Sequence, residues 1–148
     1  MSGHSVRVNR MINYKKFLTE HDVWPLETWN SFEFSHKVPS STEERKRQIE
    51  FLRKVLPKGH GLYVYFTKDG ECLYVGKAAP LFNRLKSHYQ EAFRKVPGDT
   101  KTNKWHRFFS SNLGQLVIYW KEVAEETDRR IFELALTAVL KPEFKNFR

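Results

Sequence analysis

Hydrophobic and polar positions follow two different periods along the chain, and the change from one to the other marks its elements. From Gly61 the residues run Leu-Tyr-Val-Tyr-Phe-Thr, then Lys68-Asp-Gly-Glu71, then Cys72-Leu-Tyr-Val-Gly76. Two β-rich runs around an Asp-Gly pair predict a hairpin. Before it, Ser41 and Glu44 fit a capping box, and Ile49, Leu52 and Leu56 recur at helical spacing until Pro57 and Gly59, which predicts a helix over 42–56. After it, Pro80 suits a first helical turn, and Leu81, Leu85, Tyr89, Ala92 and Val96 share one helix face up to Pro97-Gly98. Trp105, Phe108 and Phe109 suggest a short second helix, Leu116–Trp120 a third strand, and Asp128–Leu140 a last helix stopped by Pro142.

Residues 1–40 are rich in aromatics but aperiodic, and Trp24-Pro25 and Val38-Pro39 interrupt any long helix, so this stretch reads as an irregular arm. The resulting order, αββααβα, predicts an α+β fold. Its core is a small three-stranded antiparallel sheet flanked by helices, with an N-terminal helical or irregular extension over 1–58 and the main domain over 59–148.

With a two-residue Asp69-Gly70 turn, Lys68 pairs with Glu71, Tyr65 with Tyr74 and Tyr63 with Gly76. Opposed residues share a face, so Tyr63, Tyr65 and Tyr74 lie together, and Leu62, Val64, Phe66, Leu73 and Val75 form a wholly apolar second face. Gly76 leaves space beside Tyr63, the edge of a pocket. Tyrosines also enter strands simply because aromatics favour them. One turn apart on the next helix stand Arg84 and His88, with Glu91 continuing the stripe; such residues on a basic helix are most often a solvated face. In the last helix only Glu133 and Thr137 interrupt the apolar run from Ile131 to Leu140. A carboxylate there needs a cation, a metal or a wet cleft, and an ion pair with Arg129 or Arg130 would also satisfy it.

Composition narrows the partner. The 148 residues carry 26 Lys and Arg against 17 Asp and Glu, a formal charge of +9 and a pI near 9.7, which favours an anionic partner, nucleic acid first. Seven basic residues (Arg84, Lys86, Arg94, Lys95, Lys101, Lys104 and Arg107) against Glu91 and Asp99 make 84–107 a cluster suited to a DNA backbone. Arg45-Lys46-Arg47 offers another such contact. Trp105, Phe108 and Phe109 have the chemistry to stack on bases, although their spacing is more often that of a core. The single Cys72 allows no internal disulfide, no zinc-ligand spacing is present, and no apolar run is long enough to span a bilayer. An intracellular setting without a membrane is expected.

The run Gly61-Leu62-Tyr63, then Tyr74-Val75-Gly76, then Arg84, His88, Glu133 in an apolar helix, and Leu140-Lys-Pro followed by Asn146 resembles the GIY-YIG endonucleases across residues 61–146. Leu62 and Val75 stand where isoleucine is usual, and Lys77-Ala78-Ala79 follow where many members carry a polar residue. The resemblance implies hydrolysis of phosphodiester bonds in DNA, duplex, nicked or branched, with one divalent ion, Mg2+ or Mn2+, held by Glu133. It implies Tyr63 as the activator of water, with its pKa lowered by Arg84, the metal or Tyr74. Arg84 is implied as the phosphate clamp, His88 as a proton relay or a hydrogen-bond partner of a phosphate oxygen, and Tyr74 as a positioning group for water or Tyr63. Gly76, Lys77 and Asn146 are implied to organise the site or bind substrate. A hard cation with one carboxylate ligand can fill its shell with phosphate and water. A non-catalytic nucleic-acid-binding module that kept the fold is the competing reading. The N-terminal arm, which shows no zinc-finger or helix-turn-helix signature, is a candidate for dimerisation or substrate recognition.

Overall fold

The structure is a computed structural model that describes residues 3–93 and 104–144, with side chains outside the description at 3–9 and 104–106. Its elements are α1 (Gly3–Glu20), β1 (Asn30–His36), α2 (Thr42–Val55), β2 (Gly61–Thr67), β3 (Cys72–Ala78), α3 (Leu81–Glu91), α4 (Lys104–Ser111), β4 (Gly114–Glu122) and α5 (Glu126–Leu140). The fold is α+β, but the antiparallel sheet has four strands, in the order β1-β4-β2-β3, rather than three.

The fourth strand comes from the stretch read as an irregular arm. β1 runs Asn-Ser-Phe-Glu-Phe-Ser-His, and its Phe32, Phe34 and His36 point to the core while Ser31 and Glu33 face solvent. That is strand alternation, diluted by serines and too short to stand out. β1 pairs with β4 from Asn30–Trp120 to His36–Gly114. Helix α1 is the second departure. Few apolar residues mark a face along it; among its described side chains Leu18 is fully buried, and Phe17 packs against His21 and Phe132. The helix ends at Glu20, before Trp24-Pro25: Asp22 turns left-handed, with φ 61°, the Val23 N–H donates to the Leu18 carbonyl at 2.8 Å, and the Trp29 indole N–H closes the segment by donating to the Val23 carbonyl at 2.9 Å.

Two cores sandwich the sheet. On one face, α2, α3 and α4 bury Leu52, Leu81, Leu85, Tyr89 and Phe109 against Phe34, the three hairpin tyrosines and Ile118. On the other, α1 and α5 bury Leu18, Phe132 and Leu136 against Leu62, Val64 and Val75. The α2 cap forms as its sequence dictates, the Glu44 N–H donating to Ser41 Oγ at 3.1 Å. Helix α3 is shorter than its apolar spacing predicts. It ends at Glu91, Ala92 and Phe93 turn away, and Val96 lies outside the described residues. In α5, Lys141 adopts a left-handed conformation before Pro142 and its N–H donates to the Thr137 carbonyl at 3.0 Å.

The hairpin reaches its expected pairing by a different turn. Gly70, with φ +92°, donates to the Thr67 carbonyl, and the Thr67 N–H donates to the Glu71 carbonyl at 2.9 Å. The loop therefore has three residues, Lys68-Asp69-Gly70, and Thr67, not Lys68, faces Glu71. A bulge between Tyr65 and Phe66 cancels the extra residue, so Tyr65 opposes Tyr74 and Tyr63 opposes Gly76. The cost falls on Leu73, which packs with the tyrosine cluster rather than on the Leu62 face.

Because β1 closes one edge of the sheet, Phe34 serves as core. A Phe34→Ala variant is expected to lose about 3–5 kcal/mol, read from urea unfolding midpoints. An unchanged midpoint would show that β1 is not part of the cooperative unit.

Candidate active site at the β3 edge

Tyr63 is placed by its neighbours on both sides. β2 is a central strand, and its residue 63 is flanked by Gly76 on β3 and Trp120 on β4. A Cβ at position 76 would overlap Tyr63 Cζ and lie 2.6 Å from Tyr74 Cε2, so the glycine is the space that the tyrosine ring fills. Gly61 has a parallel role, since a Cβ there would overlap the Lys121 carbonyl oxygen and sit 3.0 Å from Leu81 Cδ1. The Leu81 N–H donates to the Gly59 carbonyl at 3.0 Å, which fixes the start of α3 beside the start of β2. Later turns of α3 then carry Arg84 and His88 over the tyrosines.

His88 is not on a solvated face. It is 3% exposed, its ring stacks on Phe109 at 4.4 Å, and Tyr63, Tyr65 and Tyr74 surround it with centroids 5.6–6.1 Å away. Tyr63 Oη and His88 Nε2 are hydrogen-bonded at 2.6 Å, and the Tyr63 hydroxyl also bonds with that of Tyr74. Burial drives the Tyr63 phenol well above its usual pKa, Tyr74 and Tyr65 push the same way, and the Arg84 charge opposes them. This corrects one expectation from the sequence: Tyr74 raises the Tyr63 pKa, and Arg84 is the group that pulls it down. Burial drives His88 well below 6.5, and Arg84 and His36 add to the shift. A neutral phenol is thus held against a neutral imidazole, a pair between which a proton can pass without a resident charge in the core. Arg84 itself is exposed and, with Ser87, His88 and Glu91, lines a cleft of about 120 Å³.

Glu133 lies across the sheet. Lys77 opposes Leu62 and so shares its face, the α5 side, and Lys77, Glu126, Arg130, Glu133 and Leu134 line a cleft of about 340 Å³. Glu133 is half-buried, and Ile131 and Leu134 beside it are exposed, so the apolar run of α5 is not enclosed all round as its sequence suggests. Arg129 is spoken for elsewhere, its guanidinium donating to the Val123 and Ala124 carbonyls at 2.9 and 2.6 Å. Among the described residues the two clefts share no lining residue: the first is lined by α3, and β3, the edge strand, contributes Lys77 to the second. Among the described residues the outer side of β3 is covered at its start, where the Glu143 and Phe144 N–H groups donate to the Cys72 and Leu73 carbonyls at 3.1 and 2.8 Å. Among the described residues no group of three or more His, Cys, Asp or Glu is assembled.

Of the expected backbone contacts, Arg107 is exposed and Lys86 partly so, and the Lys86 ammonium lies 6.0 Å over the Phe82 ring. Arg94, Lys95, Lys101, the Lys104 side chain and Asn146 lie outside the described residues, as does the Trp105 side chain. Phe108 and Phe109 are core. Sequence reasoning missed His36, which is fully buried beside Phe109 and Tyr89 and whose ring nitrogens lack a hydrogen-bonding partner among the described residues. Its place at the end of the Phe32-Phe34-His36 alternation was the available signal.

The geometry has counterparts. Residues 59–145 match the family model described as the GIY-YIG catalytic domain, and the chain belongs to the GIY-YIG family. It is 35% identical to UvrABC system protein C of Aliarcobacter butzleri over 89 residues, 60% of this chain and 14% of that protein. Against the protein of the same name from Nautilia profundicola it is 35% identical over 94 residues, 62% of this chain and again 14% of the relative. The chain therefore matches about one seventh of the length of these relatives. Among solved structures, the magnesium-bound GIY-YIG N-terminal endonuclease domain of UvrC from Thermotoga maritima aligns with a TM-score of 0.45 at 25% identity, covering 71% of this chain and 99% of that one.

Two outcomes follow from the packing. Gly76→Ala is expected to cost about 1–3 kcal/mol through overpacking, visible as a lower urea midpoint together with altered near-UV dichroism of the displaced tyrosines. A second concerns pH. Burial lowers the pKa of His36 to about 4, against the pull of the Phe109 backbone, whereas an unfolded histidine titrates near 6.5. Between those values the unfolded chain binds more protons, so stability is full above pH 6.5 and falls as pH drops towards 4. His36 contributes up to about 1.4 kcal/mol per unit, and His88 acts in the same direction. Denaturant midpoints that stay flat from pH 6.5 to 4.5 would contradict this burial.

Proposed function

We propose that the chain is a divalent-metal-dependent DNA endonuclease whose catalytic unit is residues 59–148, with the first 58 residues as a supporting and substrate-binding segment. The observation that carries the reading is the buried Tyr63–His88 hydrogen bond at 2.6 Å, with the Arg84 charge beside it and the Glu133 carboxylate on the other side of the same edge strand. A phosphodiester laid beside the β3 edge would have a proton acceptor and a cation on one side and a carboxylate with Lys77 and Arg130 on the other.

Glu133 suits a hard cation such as Mg2+ or Mn2+. It is a half-buried carboxylate in an open polar cleft, with Glu126 as a second oxygen donor and no cage of protein ligands among the described residues, which fits an ion that keeps much of its water. Such an ion supplies Lewis-acid charge at the scissile phosphate when bound. The related domain of known structure binds magnesium, which supports the assignment.

The protein's own part is proton transfer and charge. His88 Nε2 takes the Tyr63 proton, and the resulting phenolate takes one from the water that attacks phosphorus; the new P–O bond forms as the bond to the leaving DNA oxygen breaks, that oxygen gains a proton from solvent, and His88 returns its own to solvent. The Arg84 guanidinium favours the transient phenolate and, through its planar fork, holds a phosphate oxygen. Tyr74 holds the Tyr63 hydroxyl in place, and Gly76 keeps room for the ring. Lys77 borders the scissile group, Lys86, Arg107, Arg94, Lys95, Lys101 and Lys104 extend contact along the backbone, and Asn146 organises the site from the C-terminal segment.

Linear, nicked, flapped and cruciform DNAs incubated with Mg2+ or Mn2+ at two salt concentrations test the reading. Cleavage is expected, abolished by a chelator, and lowered by roughly 10²-fold or more in Tyr63→Phe, His88→Ala and Arg84→Ala. Because His88 stays neutral well below pH 6.5, its titration should produce no acidic limb in kcat/KM between pH 7.5 and 6. Full cutting by Glu133→Ala would overturn the metal assignment, and tight DNA binding without cleavage of any substrate would favour a binding module.

A further inference from the structure

The Glu133 cleft does not end at Leu134. That residue, 55% exposed, also lines an apolar groove of about 330 Å³ between α1 and α5, whose floor includes Tyr14, Phe17, Ile131 and Ala138. Tyr14 and Ala138 in turn border a further hollow of about 240 Å³ that is flanked by Arg10 and Lys141. The three depressions form one track along α5, polar at Glu133, apolar and aromatic in the middle, and cationic at the far end. Lys77 and Arg130 supply positive charge at the near end as well. Tyr14 is 40% exposed, and Ile131 is 46% exposed, so the middle of the track is apolar surface open to solvent.

An apolar floor with Arg10 and Lys141 at its far end, and Lys77 and Arg130 among the carboxylates at its near end, matches a chain whose charges are regularly spaced and whose flat apolar groups are free to turn inwards. Unpaired DNA has that chemistry: phosphates for Arg10, Lys141 and Arg130, and bases to lie on the Tyr14 ring and the aliphatic wall. A duplex keeps its base faces stacked inside and presents phosphates, sugars and the edges of its base pairs, so it offers the apolar floor no flat apolar face. Helix α1 supplies one wall and lies outside the segment that matches the family model.

We propose that the α1–α5 groove binds an unpaired DNA strand adjoining the scissile phosphate, so that the preferred substrate carries single-stranded nucleotides next to the cleavage point. This rests on the endonuclease reading for the position of that phosphate, but the groove is tested by binding alone. Fluorescence anisotropy of a labelled oligothymidine and of a labelled blunt duplex, with the full chain in a Glu133→Gln background and chelator present, separates the two questions. Tyr14→Ala is expected to weaken oligothymidine binding about tenfold and duplex binding less than twofold, and Tyr14→Phe to remain at the parent value. Leu134→Ala should weaken oligothymidine in the same selective way, which guards against misfolding of the tyrosine variant, itself monitored by thermal unfolding. Lys141→Glu should lower the salt slope by about one.

Equal losses on both DNAs, or none on oligothymidine, would overturn the proposal. So would a concentration-dependent dimer, seen by sedimentation, that Tyr14→Ala dissolves, because a second copy would then cover the groove. Absence of cleavage with every metal and substrate would defeat the endonuclease reading while a selective loss of oligothymidine binding would still stand.

Discussion

Tyr63 can stand where it does only because residue 76 has no side chain, and much of the molecule is arranged around that fit. The ring lies in the space opposite it on β3, under α3, with backbone pairing to β3 on one side and β4 on the other. Central position in the sheet excludes water, and exclusion of water decides the chemistry. It holds the phenol protonated and the adjacent imidazole neutral, so the two share a short hydrogen bond in place of an ion pair. A single exposed cation, Arg84, then biases the pair from the rim.

The sheet edge gives the second constraint. β3 is the only strand with helices α3 and α5 reaching it from opposite faces while part of its own hydrogen-bonding side stays open, at least among the described residues. The buried Tyr63–His88 pair and the half-buried Glu133 carboxylate therefore lie on opposite faces of the sheet, on either side of this edge strand. Keeping the carboxylate on the far side also spares Tyr63 a nearby negative charge that would raise its pKa further.

The hairpin, both flanking helices, the α2 cap and the ordered set Tyr63, Tyr74, Arg84, His88 and Glu133 were legible because each depends on residues close in sequence or on a spacing that one element imposes. The pairing of Tyr63 with Gly76 was legible even though the turn was not, since the bulge at Tyr65–Phe66 restored the register. β1 and α1 were not legible. A seven-residue strand holding five polar side chains gains its stability from β4, which lies some eighty residues away, and among the described side chains of α1 only Leu18 is buried, in the core it shares with α5.

The sequence by itself determined the hairpin, the helices that flank it, the candidate site residues and the basic character of the chain, because periodicity, glycine placement and charge are properties of neighbours. Tertiary structure alone decided that His88 is buried and neutral, that His36 joins its surroundings, that Glu133 faces a wet cleft on the opposite side of β3, and that α1 walls a groove leading from it. Burial and electrostatic environment are set by what packs against a residue from distant parts of the chain, and no spacing rule within one helix or strand carries that information.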